Sequence, residues 1–130
     1  MPVELKFSEN RRYLIYTISE PFNMDDLMRA YEKEREYRDS VDYTLHSITD
    51  MSPLRRVPPN WLTAKAGPGL THPRSGSILL VGLTPGYKII LNTILKIVRF
   101  NRMQFFDTYE EAVKFMEKLI ADPAITHPTR

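Results

Sequence analysis

The hydrophobic positions of this 130-residue chain change their spacing several times along its length. Residues 3–7 alternate between apolar and charged side chains, which predicts an edge strand with one solvated face. Residues 13–18 are rich in aromatic and β-branched side chains, which favour a second strand. Because only residues 8–12 separate the two runs, they predict an antiparallel hairpin.

The most apolar stretch, residues 77–98, joins a strand to a helix. Residues 78–83 form a short apolar run without alternation, which is typical of a strand covered on both faces in the middle of a sheet. The Thr-Pro-Gly sequence at 84–86 ends that strand, and the apolar positions that follow have helical spacing. A buried strand that leads into a buried helix is one half of an α/β layer.

The first helix is predicted to begin after Asn23, which is a favoured N-cap residue. Asp25 and Asp26 then lie in its first turn, where the helix dipole favours negative charge. Residues 32–38 carry charges of both signs, and we expect them to form a largely solvated face.

The remaining elements alternate between strands and helices. Residues 43–50 predict a strand that ends at Asp50, and residues 101–106 predict the last strand. Residues 59–66 predict a short helix, since Pro59 stands at its start and a glycine follows its end. The final helix begins at Thr108, where the spacing to a glutamate three residues later is that of a capping box.

Together these elements predict a single α/β domain over residues 1–122. The expected architecture is a single-layer mixed β-sheet of about five strands packed by about four helices, in the order ββαβαβαβα. A chain of this length can bury one sizeable core. Residues 123–130 lack an apolar pattern and are expected to be disordered.

Composition narrows the function classes. The chain has no cysteine, which excludes disulfides and thiolate metal sites. No apolar run approaches the roughly 20 residues of a membrane span, and the first residues do not resemble a signal segment, so we expect a cytoplasmic protein. The three histidines lack metal-ligand spacing, and His46 is expected to be a packed strand residue. No cofactor or metal is therefore expected.

Charge is distributed unevenly although the net charge is only +2. Residues 51–106 contain eight basic side chains and no acidic one, while both flanking regions are net negative. The middle of the chain is therefore a candidate surface for anions, the alternative being a solvated basic face without a dedicated partner. No phosphate-binding glycine motif accompanies it, and a nucleic-acid partner is not expected.

Ligands of open α/β sheets collect at the carboxyl ends of parallel strands. If the third and fourth strands are parallel neighbours, residues 50–56 and 84–87 lie side by side there, next to the start of a helix that could bind an anion. The candidate ligand or anion site consists of Asp50, Ser52, Arg55, Arg56, Trp61, Thr84 and Tyr87. In the alternative interpretation Asp50 bonds its own loop, Trp61 anchors the core and the arginines are solvated.

The helix after the fourth strand is apolar on a second side. Ile89, Thr93 and Ile97 follow one another at four-residue spacing, away from the positions expected to face the sheet. We expect them to contact a second copy of the chain or another protein, with Lys96 and Arg99 at the rim. The alternative is that the last helix covers them.

The element order and three short motifs resemble the STAS domains, the family named for sulfate transporters and anti-sigma-factor antagonists. Ile-Thr-Asp-Met-Ser at 48–52 is similar to the segment after the family's third strand, and Ser-Ile-Leu-Leu-Val-Gly at 77–82 is similar to its fourth strand. Residues 102–112 are similar to its final strand and helix start. The resemblance implies a non-catalytic protein-interaction or ligand-sensing module.

Antagonists of that family carry a phosphorylated serine where the helix after the third strand begins. The corresponding residues here, Pro-Pro-Asn-Trp at 58–61, offer no hydroxyl, so a phosphorylation switch is not implied for this chain. The sequence therefore predicts a non-enzymatic regulatory module that binds a protein partner or itself, as a homodimer. The alternative is a carrier or sensor of a small anionic or amphipathic ligand, with a pocket lined by Tyr16, Trp61, Leu83 and Tyr87.

Overall fold

The computed structural model describes residues 3–19, 23–53, 72–97, 99 and 101–121. Its elements, in chain order, are β1 (Val3–Phe7), β2 (Tyr13–Ile18), α1 (Met24–Asp39), β3 (Leu45–Asp50), β4 (Ser75–Val81), α2 (Pro85–Ile97), β5 (Met103–Phe106) and α3 (Tyr109–Ala121). This order confirms the predicted α/β class. The short helix predicted over 59–66 and the predicted disordered tail at 123–130 lie outside the described residues.

The five strands form one mixed sheet in the order β1-β2-β3-β4-β5. The β1–β2 hairpin is antiparallel and the other three pairings are parallel. Helices α1 and α2 join the parallel pairs β2–β3 and β4–β5, as such pairs require a crossover connection. β1 lies at one edge, and β4 lies between β3 and β5. The predictions of an edge hairpin and of an interior, fully covered fourth strand are therefore confirmed.

The helices cover the two faces of the sheet unequally. α1 and α2 pack on one face, where Ala30, Leu91 and Leu95 join a core that includes Leu80 of β4. α3 packs on the other face, where Met116 lies in a second core with other buried side chains. β4 contributes to both cores, because its successive side chains point to opposite faces. This explains why its sequence is apolar without alternation.

Two capping boxes fix the starts of α1 and α3. The Asn23 side chain accepts a hydrogen bond from the Asp26 amide at 2.9 Å, and the Asp26 carboxylate accepts one from the Asn23 amide at 3.1 Å. Thr108 and Glu111 make the same reciprocal pair, at 3.2 Å in each direction. Both predicted helix starts are confirmed, because each pair satisfies amides that a helix cannot satisfy internally.

The prediction that residues 32–38 form a largely solvated face is wrong at two positions. Glu34 is 2% exposed and Arg38 is 0% exposed. The Arg38 Nε donates to Glu34 Oε2 at 2.7 Å, and the Tyr16 hydroxyl donates to Glu34 Oε1 at 2.5 Å. Residues four apart share one side of a helix, so this side of α1 presses an ion pair against β2. The hydrogen bonds offset the cost of removing both charges from water.

Arg38 also reaches an irregularity in the sheet. The register between β3 and β4 shifts between Leu45 and Ser47, and Arg38 Nη1 donates to the Leu45 carbonyl there. On the neighbouring strand the Ser77 amide donates to His46 Nδ1 at 2.8 Å. Arg38 thus donates to a backbone carbonyl and His46 accepts from a backbone amide where the ladder is interrupted. A buried carbonyl or amide needs such a partner.

Replacing Glu34 with Ala should destabilise the protein by about 3 to 5 kcal/mol, because Arg38 would remain buried without its carboxylate partner. Urea denaturation at pH 7 measures this change. Glu32→Ala, on the exposed side of the same helix, is the control and should change stability by less than about 0.5 kcal/mol. Equal effects of the two substitutions would contradict the role assigned to the ion pair.

Candidate functional site

The carboxyl ends of β3 and β4 meet as the sequence predicts. Asp50 pairs with Val81 in the parallel register, and the Met51 amide donates to the Val81 carbonyl at 2.9 Å. The loop after β3 then touches the turn after β4 at Gly82, which has a φ of +80°. A Cβ at this position would lie 2.7 Å from the Ser52 Cα. Glycine therefore permits both the backbone conformation and the close approach of the two loops.

Asp50 and Ser52 bond to each other within their own loop. Asp50 Oδ1 accepts from the Ser52 amide at 3.0 Å and from the Ser52 hydroxyl at 2.6 Å. This arrangement agrees with the alternative interpretation of Asp50. The nearby Tyr109 has its pKa raised, first by burial and next by the negative charge of Asp50. Asp50 thus contributes negative charge to an edge where an anion site was predicted.

The start of α2 lies at the same edge. Pro85 is the first residue of the helix, and the Thr84 carbonyl accepts from the Lys88 amide at 3.0 Å. Lys88, in the first turn of α2, pairs with the exposed Asp107 at 3.4 Å and so already has a counter-ion. Of the predicted site residues, Asp50, Ser52 and Thr84 therefore lie together at the carboxyl ends of β3 and β4. Arg55, Arg56 and Trp61 lie outside the described residues.

Two of the four residues predicted to line a carrier pocket are buried in the core. Tyr16 and Leu83 are buried members of the core on the α1 and α2 face, and Tyr87 is partly buried against it. The Tyr16 hydroxyl is engaged by Glu34 rather than directed at a ligand. Trp61 again lies outside the described residues.

The outward side of α2 carries an exposed row of isoleucines, which we call the α2 stripe and define as Ile89, Ile90, Thr93 and Ile97. Its isoleucines are 70%, 46% and 75% exposed in that order. The Thr93 hydroxyl donates to the Ile89 carbonyl at 3.1 Å, so it turns back onto the helix. The stripe is on the sheet face opposite to α3, which rules out cover by the last helix.

Basic side chains border the α2 stripe. Lys96 and Arg99 are exposed, and Arg99 has a φ of +59°, a left-handed conformation that is common just after a helix. The predicted interface residues Ile89, Thr93, Lys96 and Ile97 are therefore together on one accessible surface. Ile90 belongs to the same surface, so the expectation that it faces the sheet with the other helically spaced apolar residues is wrong. Its spacing of seven residues from Ile97 places the two on one side of the helix.

His46 is a buried strand residue, as the sequence predicts. His46 is 2% exposed, and its Nε2, like Arg38 Nη2, has no hydrogen-bond partner among the described residues. Burial, and after it the positive charges of Arg38, Arg12 and Arg102, lower the pKa of His46 to about 4. The His46 imidazole is thus uncharged at neutral pH and accepts a hydrogen bond from the Ser77 amide.

The described part of the chain contains no helix that is both long and apolar enough to cross a membrane. Within the same residues, no group of three or more acidic, histidine or cysteine side chains is arranged to hold a metal ion. Comparisons with protein-family models, with curated proteins and with solved structures found no significant match to this chain.

Replacing Gly82 with Ala should destabilise the protein by about 2 kcal/mol, because the new methyl group meets the Ser52 backbone and alanine disfavours a positive φ. Gly86→Ala is the matched control, since a Cβ there meets open space in the first turn of α2. That control should stabilise the protein by about 0.5 to 1 kcal/mol. Thermal or urea unfolding compares the two, and a loss of stability at Gly86 alone would contradict the predicted loop contact.

Acid should destabilise the fold through His46. Between pH 6.5 and about 4 the unfolded chain binds a proton at this side chain and the folded chain does not. The contribution of neutral His46 to the free energy of unfolding is therefore complete above pH 6.5. It is lost as the pH falls through this window, by up to about 3 kcal/mol. Urea denaturation at several pH values measures it.

His46→Asn is the comparison variant, because its side-chain oxygen can still accept a hydrogen bond from the Ser77 amide. It should have a shallower dependence of the free energy of unfolding on pH between 6.5 and 4. The same slope in both proteins would show that His46 titrates normally in the folded state.

Proposed function

We propose that this chain is a non-catalytic interaction module that regulates by binding, and that the α2 stripe is its contact surface. The observation that carries the proposal is the exposure of Ile89 and Ile97, at 70% and 75%. Single exposed apolar side chains are ordinary, but a contiguous row on one helix is typical of an interaction surface. The order of elements supports the same function through its resemblance to the STAS domains.

The structure of α2 indicates that the row is not a by-product of core packing. Leu91 and Leu95 already supply the buried contacts between the helix and the sheet. Polar residues at Ile89, Ile90 and Ile97 would leave those contacts in place and would be better solvated. Apolar side chains at these positions therefore gain their burial in contact with something else.

In a solution of the purified protein the stripe should drive self-association, because the stripe of a second copy can then cover it. Light scattering over a wide concentration range should show the mean mass rising from 15.2 kDa towards that of a dimer. Ile97→Glu should hold the mass at that of the monomer, since a carboxylate would have to be buried in the contact. The fold should be unaffected because Ile97 is largely exposed.

Met28→Glu is the matched control, since Met28 is an exposed apolar side chain on α1 outside the stripe. Its self-association should equal that of the wild type. An Ile97→Glu variant that associates as well as the wild type would refute the proposed contact surface. A wild-type protein that remains monomeric at every concentration and also binds no apolar helix through the stripe would refute it as well.

A further inference from the structure

The spacing of the α2 stripe is that of a helix-packing seam. Ile90, Thr93 and Ile97 are separated by three and four residues, which is the spacing of the contact positions in paired helices. Ile89 lies beside this seam on the preceding row. β-branched residues at such positions present a stiff surface, because their side chains have few rotamers to lose on contact. A helix of the partner would lie along α2 and fill this seam.

The described charged side chains on α2 and just after it are basic. Lys96 is exposed on α2 at the side of the seam, and Arg99 follows the end of the helix. α2 itself contains no acidic residue, and the sequence has none from Met51 to Phe106. Among the described residues, the ion pair made by α2 is that of Lys88 with Asp107, at the opposite end of the helix from Arg99. The charges at Lys96 and Arg99 are therefore available to an acidic partner.

A second copy of the chain fits this surface less well. A symmetric contact brings the same patch from each copy, so it would place two basic borders together without an acidic counterpart from either α2. Like charges placed together weaken a contact, whereas complementary charges select a partner and accelerate binding. Self-association through the stripe should consequently be weak.

We infer that the natural occupant of the α2 stripe is an amphipathic helix of another protein, with an apolar seam flanked by Asp or Glu. This inference rests on the proposed function, because it names the partner of the same surface. The apolar seam supplies the attraction, and the acidic flank pairs with Lys96 and Arg99 to fix the orientation of the bound helix.

Two fluorescent synthetic peptides of about 20 residues test the inference, a length sufficient for an amphipathic helix to form on a surface. Both carry the same leucine seam, and one is flanked by glutamates while the other is flanked by lysines. Fluorescence anisotropy with the full chain at low salt should show the glutamate peptide binding about tenfold more tightly. Because the preference is electrostatic, it should decrease as salt is added.

Lys96→Glu should remove most of this preference, whereas Lys114→Glu, an equal charge change at an exposed position on α3, should leave it unchanged. Ile97→Glu should weaken binding of both peptides. If both peptides bind equally and Ile97→Glu abolishes their binding, the acidic partner is wrong while the contact surface stands. If neither binds and light scattering shows no association through the stripe, both proposals fail.

Further measurements on the same protein test two other occupants of the stripe, an anionic lipid surface and a second copy of the chain. Vesicles of phosphatidylcholine with and without phosphatidylserine test an anionic lipid surface. Binding that requires phosphatidylserine and Ile97, without binding of the glutamate peptide, would overturn the inference in favour of lipid. A tight dimer that the glutamate peptide does not displace would overturn it in favour of a second copy.

Discussion

The buried contact among Tyr16, Glu34 and Arg38 holds α1 in place on the sheet. It joins a hydroxyl on β2, an ion pair on α1 and, through the Leu45 carbonyl, the first residue of β3. Apolar packing alone is tolerant of small shifts between layers, whereas charges buried in this way have to meet their partners. The network therefore specifies where α1 lies as well as contributing to its attachment.

The same network explains how the sheet tolerates its irregular start. The register shift between β3 and β4 is next to the position where Gly76 allows the His46 ring to approach the backbone, since a Cβ there would lie 2.2 Å from His46 Nδ1. At this position Arg38 donates to the Leu45 carbonyl and His46 accepts from the Ser77 amide. Beyond it the strands run in regular parallel register to Asp50 and Val81, which places the two following loops together.

The sequence predicted the class and order of the fold because its strongest patterns act locally. The apolar run in β4 and the capping residues at Asn23 and Thr108 each have one structural explanation. It failed at Glu34 and Arg38, where charges of both signs at short spacing predict a solvated face in isolation. Their burial is decided by Tyr16 and Leu45, which are distant in sequence, so no local pattern could reveal it.

The candidate sites also contain features that a local sequence pattern predicts and features that it does not. The exposure of Ile89 and Ile97 could be predicted because a helix on one side of a single sheet has a second side that its own sheet does not cover. The partners of Asp50 could not be chosen from sequence, since both a free carboxylate and a loop-capping one suit an aspartate at a strand end. The structure decides for the loop, through the Ser52 amide and hydroxyl.

The number of exposed isoleucines in the α2 stripe limits the affinity of a contact made there. Complete burial of an isoleucine contributes about 1.5 to 3 kcal/mol, so three partly exposed isoleucines can supply several kcal/mol on docking. Association costs several kcal/mol in lost translational and rotational freedom, which leaves a modest net affinity. Charge pairing at Lys96 and Arg99 would add selectivity and a faster approach more than strength. A contact of this kind forms and dissociates readily, which agrees with the proposed function of regulation by reversible binding.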